Sequence, residues 1–431
     1  DMENITRSLG FYLDYGGKKV LTPLSQVCTG YLDSACMDII SGAFDYNSVL
    51  RRTVTQLTNS GLQKIDYASG RADRVDVAAR RAVMTGVSQI TGKIAEYNAD
   101  ILGTEYFEVA WHAGARPTHA VWQGQVWSKR ELYDVCGLGT VTGLLGVNCY
   151  HEYYPFFPGI SQRNWSNEWL DAKNREESEP KEFGGKQYTL YEAKQRQRQM
   201  EVAMRVQREK VRLLQAGKAD RDEIILRKAK YQGQLNEYSR FCRKMGLTEE
   251  RERIYLDMRG HVATNTKWQN AMFPPEMIKN ASKDISQYRR YKEVLGDSVG
   301  TLAKFGQVKY NESEKWKVIS EAYTDAKWQK KALEKRSAGE VHSIPYKGTP
   351  NSVFDNYKDG VLQRRRYYGN DGRPRLDIDM TDHGNSKEHP IVPHYQNWYL
   401  DENGVLKREA KRDNALKLGH KVANRDILEK R

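Results

Sequence analysis

Between Glu108 and Ser128 the chain reads EVAWHAGARPTHAVWQGQVWS, and from Gly146 to Gly159 it reads GVNCYHEYYPFFPG. These stretches constrain the fold most, because the first crowds two histidines, an arginine, three tryptophans and two glycines into a segment that suits neither a plain helix nor a plain strand. The donors His112, His119, Cys149 and His151 are the imidazole and thiolate types that tetrahedral zinc prefers. The paired C-x2-C spacing of a strong zinc signature is missing. The residues therefore favour a polar knot without a cofactor, with zinc as the alternative. In that knot His112 and His119 hydrogen-bond backbone groups, Arg116 pairs with a buried carboxylate, and Trp111, Trp122 and Trp127 form a local core.

A chain of 431 residues exceeds one ordinary core and points to two or three domains. No run of eighteen apolar residues is present, so no membrane-spanning segment is expected. The opening Asp1-Met-Glu-Asn lacks the basic start and apolar stretch of a secretion signal. Five scattered cysteines, an odd number, fit reduced thiols and synthesis in a cytoplasm. Through Gly159 the chain holds 14 Lys and Arg against 16 Asp and Glu, out of 69 and 56 overall, which leaves 55 against 40 beyond that point. A neutral part followed by a basic one is the pattern of a module that docks on protein and a second that lies near polyanion. Solvation of long helices by the same lysines and arginines is the other reading.

Apolar spacing predicts helices between Val20 and Leu62, and an alanine-rich helix to about Asn98 that Ser69 or Asp73 would cap. Arg71, Arg74, Arg80 and Arg81 are either a phosphate-binding set or an exposed, paired face. Tyr106–Trp111 alternates as a strand and Gln123–Trp127 pairs with it as a hairpin. Gly137–Gly146 lacks the G-K-[ST] of a phosphate loop and reads as a flexible connector. Tyr153–Phe157 is a core lid or a docking patch. Residues 161–186 are polar and read as a linker. Tyr188–Ala216 and Asp220–Met245 form an antiparallel helical hairpin, an arm that needs a neighbour. Thr248 caps a further helix into Met258, and a helix runs through Trp316, Ile319, Tyr323 and Ala326.

The run W-H-A-G-A-R-P-x-H-A-x-W-Q-G at 111–124, with N-C-Y-H and Y-P-F-F-P-G at 148–159, resembles the minor capsid proteins of tailed phages, relatives of the phage Mu F-type head proteins. Trp111, Arg116, Trp122, Gly124 and Asn148 carry the motif, and Tyr150 stands where that family usually has arginine. The resemblance implies a virion head component made in the bacterial cytoplasm. It also implies docking near the portal or major capsid protein and passage into the cell with the DNA; contact with packaged DNA is the expectation that the basic charge beyond Gly159 raises. The segment Leu302–Trp316 resembles a connector that recurs in phage head proteins ahead of variable C-terminal domains.

Val353–Met380 reads as a three-stranded meander turned at Asp359-Gly360 and Asp371-Gly372, with a helix near 401–418 to cover it. Straight after it come His383, His389 and His394, with Arg364, Arg365 and Arg366 on the middle strand. One histidine taking the 2′-hydroxyl proton, another protonating the leaving oxygen and Arg365 holding the phosphate would make a metal-independent ribonuclease. The segment resembles C-terminal domains of phage head proteins and polymorphic toxins grouped with barnase- or colicin-like nucleases. That implies host RNA as substrate and an immunity protein as partner. A divalent ion on Asp382, His383, His389 and His394 is a rival reading, and so is a purely structural loop.

The fold class expected is α+β, and the expected organisation is a mainly helical capsid-like module (1–160), the linker (161–186), the hairpin (187–258), a helical connector (259–339) and a small antiparallel β domain (340–431). The leading function is a structural head protein, and the alternative is a toxin carried by one.

Overall fold

The computed structural model describes residues 10–15, 18–59, 64–66, 72–257, 259–260, 262, 272–409 and 414–429. It is an α+β protein that divides into two compact units. Asp1–Glu209 and Gln234–Val262 form the first, and Lys210–Gly233 with Ala263–Arg431 form the second.

In the first unit a hairpin of β1 (Gly10–Tyr15) and β2 (Lys18–Pro23) precedes α1 (Leu24–Ile40) and α2 (Tyr46–Asn59). Short strands β3 (Lys64–Asp66) and β4 (Ala72–Arg74) lead into α3 (Val75–Leu102). Leu50, Val54, Leu57, Val75 and Ala79 bury one face where these helices meet. Gly103 ends α3 in the left-handed conformation that glycine adopts without penalty, and its amide returns to the carbonyls of Ala99 and Asp100. No side chain caps the start of α3. Asp73 pairs with Arg81 at 2.6 Å, and Arg74 with Glu209 at 2.8 Å. Arg80 reaches the Tyr150 hydroxyl at 3.5 Å. These three arginines are therefore engaged within the protein, while Ser69 and Arg71 lie outside the described residues.

The strand β5 (Tyr106–Val109) is the centre of a three-stranded antiparallel sheet, with β6 (Val126–Ser128) on one side and β7 (Tyr153–Phe156) on the other. Tyr153 and Phe156 are buried. The proline-flanked aromatic segment is thus a third strand of the core, the first of its two expected roles. The next segment corrects the linker expected over 161–186. It holds α6 (Asn167–Ser178), capped by Ser166, and a hairpin of β8 (Lys181–Phe183) and β9 (Lys186–Tyr188). Local polarity hid the helix because α6 buries only Leu170 fully.

Two long helices follow, α7 (Leu190–Ala216) and α8 (Arg221–Met245), joined at Gly217–Asp220. The hairpin helices have neighbours within the chain, as their narrow apolar stripes require. In the first unit, Gln197 donates to the Thr248 carbonyl at 2.7 Å, and the buried Arg208 pairs with Asp257. Thr248 does not cap a helix into Met258: α9 is only Arg251–Ile254, and Met258 lies outside the described residues.

In the second unit, Ile225 and Leu226 from the hairpin tip share a core with α10 (Pro275–Lys279), α11 (Ala281–Leu295), α12 (Leu302–Asn311) and α13 (Ser313–Leu333). The expected meander is the middle of a seven-stranded sheet, ordered β10 (Arg336–Gly339), β11 (Val353–Lys358), β12 (Val361–Tyr368), β13 (Pro374–Asp379), β14 (His394–Leu400) and β15 (Leu406–Arg408). The two-residue β16 (Asn414–Ala415) also pairs with β14. Among the described residues of this sheet only β10 with β11 is parallel. Asp359 and Gly360 both have positive φ, 51° and 75°, as a tight hairpin turn requires.

Two expectations fail here. The described part of 401–418 is turn and strand up to Leu418, where α14 (Leu418–Ala423) begins, followed by α15 (Arg425–Leu428). The cover expected from a helix there comes instead from α13 and α15, through Trp328, Ala332 and Ile427. Nor does residue 340 open a separate module. Ala322 and Ala326 of α13 sit in the helical core with Val422 and Ala423, while Ala332 of the same helix sits under the sheet.

Candidate functional site

In the first unit the chain leaves β5 at Ala110, whose amide donates to the Glu152 carbonyl at 2.8 Å. Pro117 then starts α4 (Pro117–Ala120), a single turn on which its missing amide costs nothing, and this turn carries His119 inward. After β6, α5 (Lys129–Asp134) begins with a capping box between Ser128 and Glu131. The glycine-rich segment 137–146 that follows is a packed loop and not a flexible connector. Leu138, Leu144 and Leu145 are buried, and a β-carbon on Gly143 would collide with the Gly137 carbonyl. Asn148 takes a left-handed φ of 58° and turns Cys149 and His151 back toward His119.

The result is a buried cluster. His119 Nδ1 lies 3.4 Å from His151 Nδ1, and Cys149 Sγ lies 3.8 Å and 3.4 Å from the same two atoms. His119 Nε2 meets the Thr142 carbonyl at 2.9 Å, and His151 Nε2 meets Gln123 Oε1 at 2.8 Å. Trp122 covers both rings, with centroids at 4.4 Å and 4.9 Å. His112 stands edge-on to His151 at 5.2 Å, outside the three-donor group. Burial lowers the pKa of His112 and His119 and brings His151 down to about 3, so these rings are neutral. Burial pushes the Cys149 thiol up.

Arg116 departs from expectation. Among the described residues it pairs with no carboxylate but donates to the Val147 carbonyl at 2.7 Å and, more weakly, to Thr142, so it clamps the loop that carries the donors. Trp122 and Trp127 join the core, whereas Trp111 packs edge-on against Trp169 of α6 at 4.9 Å. Gly124, at φ 72°, leaves room for the Leu170 side chain. Tyr150 is exposed and stands outside the cluster.

In the second unit, Asp379 ends β13 opposite His394, which starts β14. His394 Nδ1 bonds the Ile391 carbonyl at 2.8 Å, and its Nε2 lies 3.5 Å from Asp379 Oδ2. His383 Nε2 lies 3.6 Å from Asp379 Oδ1. The His389 ring stacks on His394 at 5.2 Å and meets His383 edge-on at 5.1 Å. Burial works against the Asp379 charge, but His383 and Arg364 hold its pKa below the usual carboxylate range. The three histidines do converge, but the acid among them is Asp379, not Asp382, whose side chain accepts from the Gly384 amide in its own turn. Asp379 escaped the sequence reading because it belongs to the strand, and only pairing across the sheet sets it beside His394.

Arg365 cannot hold a phosphate. Its guanidinium is fully buried between Asp355 and Asp426. Arg366 is taken up by Asp377, and Arg364 alone borders the cluster, through Asp379.

Among the described residues no helix is long and apolar enough to cross a membrane. Residues 18–239 match the family model of phage minor capsid protein 2, a stretch that holds the tryptophan-rich sheet, the His–Cys cluster and most of the helical hairpin. No curated protein and no solved structure matches the chain. The match spans more than half the chain and includes the motif residues Trp111, Arg116, Trp122, Gly124 and Asn148, so this protein belongs to the phage minor capsid protein 2 family and is a structural component of the phage head.

Proposed function

We propose that the protein docks on the portal or major capsid subunits through α3, and that its basic remainder contacts the packaged DNA and travels with it. One observation carries the docking: Ile94, Tyr97, Ile101 and Leu102 are 49%, 66%, 65% and 57% exposed, although Ala95 and Ala99 between them are buried. An apolar stripe at helical spacing on the solvent side of a helix is the usual mark of a protein partner. The excess of 55 cations over 40 anions beyond Gly159 supports the contact with DNA. The test is a phage carrying Ile94→Glu with Ile101→Glu. Purified heads should lose this protein while the isolated variant melts like wild type, and normal incorporation would sink the docking face.

The convergence of His383, His389 and His394 favours a second reading, metal-independent RNA cleavage. His383 and His389 would act as base and acid, moving a proton off the 2′-hydroxyl and onto the leaving 5′-oxygen, with Asp379 orienting His383. Because the sheet and the α13 helix share a core, the full chain is the reagent to use. RNA incubated with it and a chelator should be cut, and His383→Ala or His389→Ala should abolish cutting. Intact RNA would remove this reading and leave the structural role untouched.

A further inference from the structure

We propose that His119, Cys149 and His151 hold a zinc ion that staples the irregular part of the first unit. His119 Nε2 faces a carbonyl oxygen, that of Thr142, and must therefore carry the ring proton. His151 Nε2 faces Gln123 Oε1, and the same oxygen accepts the His112 backbone amide at 2.9 Å, so it is an acceptor and His151 Nε2 must also be the donor. Each neutral ring then has a bare Nδ1, and the two lone pairs face each other at 3.4 Å. The Cys149 thiol has one proton and can satisfy only one of them. A cation satisfies all three donors together.

The spacing is that of a shared ligand sphere. Bond lengths of about 2.0–2.1 Å to nitrogen and about 2.3 Å to sulfur at a tetrahedral angle place nitrogens about 3.3–3.4 Å apart and nitrogen from sulfur about 3.5–3.6 Å. The cluster has 3.4 Å between nitrogens, and 3.4 and 3.8 Å from sulfur to nitrogen. The Thr142 and Gln123 oxygens are the outer partners that orient ligating imidazoles in such centres. Two histidines and a cysteine are donors that suit zinc. On binding, Cys149 releases its proton to solvent, and the fourth position goes to water, because His112 lies outside the group. The ion would join the α4 turn to the loop thirty residues later, where no regular element does so.

The test uses the untagged full chain. After dialysis, elemental analysis should find one zinc per chain, retained in His112→Ala and lost in Cys149→Ser and His151→Gln. Cobalt substitution should give tetrahedral visible bands plus a sulfur-to-metal charge-transfer band that Cys149→Ser lacks. If those variants do not fold, wild type decides: a strong chelator should lower its Tm and added zinc should restore it. Wild type free of zinc, a chelator-insensitive Tm, equal zinc in Cys149→Ser, or loss in His112→Ala would each overturn the three-donor site.

Discussion

Arg365 and Asp355 lie side by side on β12 and β11, both fully buried, joined by two parallel hydrogen bonds of 2.7 and 2.8 Å. Burial opposes the charge on Arg365, but Asp355 and Asp426 together raise its pKa above the ordinary arginine value. Removing Asp355 takes two charge-assisted hydrogen bonds from the buried Arg365 and leaves its charge to the partly exposed Asp426, which costs about 1.5–3 kcal/mol. Asp355→Ala should therefore lower stability by that amount in urea unfolding. A loss under about 1 kcal/mol would mean that the pair is solvated.

Two glycines should respond in opposite directions. Gly143→Ala drives a methyl into the Gly137 carbonyl and should cost about 1–3 kcal/mol. Gly233 lies within α8 with open space around its α-carbon, so Gly233→Ala should gain about 0.5–1 kcal/mol by restricting the unfolded chain. Thermal melts of both variants beside wild type check the signs.

Acid should act through His420. Burial, then the nearby Lys417 charge, brings its pKa down to about 4. The unfolded chain takes up that proton near the ordinary value of about 6.5, so the contribution is whole above that pH and is lost as pH falls toward 4. Between pH 6.5 and 5 the loss should be roughly 2 kcal/mol. Denaturant midpoints for His420→Leu should fall less steeply with acid than those of wild type, and parallel slopes would refute the assignment.

Glu108 anchors the segment after the sheet. Its carboxylate, buried in β5, accepts from the Asn164 amide at 2.8 Å and side chain at 2.6 Å. Glu108→Ala removes both bonds, and because the exposed Asn164 can turn to water the cost should be about 0.5–1.5 kcal/mol. Limited proteolysis should then cut faster within 161–186, and an unchanged digest would show that the segment is held elsewhere.

The helical hairpin, the β5–β6 pairing and the meander were legible because each follows from local period: apolar residues near every fourth position, or alternation broken by Asp-Gly. α6 was not, since a helix that buries only Leu170 carries no apolar stripe for the pattern to show. The four donors His112, His119, Cys149 and His151 were legible as types. Their selection to three was not, because it depends on Asn148 turning the loop and on Thr142 and Gln123 fixing the ring protons. The same holds in the C-terminal sheet. Arg365 looked available beside three histidines, and the pleat sent it inward to Asp355 while pairing set Asp379 against His394.

Sequence by itself determined the α+β class, the main helices and the motif that places the chain among phage minor capsid proteins, because periodicity and motif are properties of neighbours along the chain. Tertiary structure alone decided which charged and donor groups meet and which are consumed by ion pairs. Burial and cross-strand register arise between residues tens of positions apart, and in a low-dielectric interior those encounters set whether a side chain is a ligand, an acid or a strut.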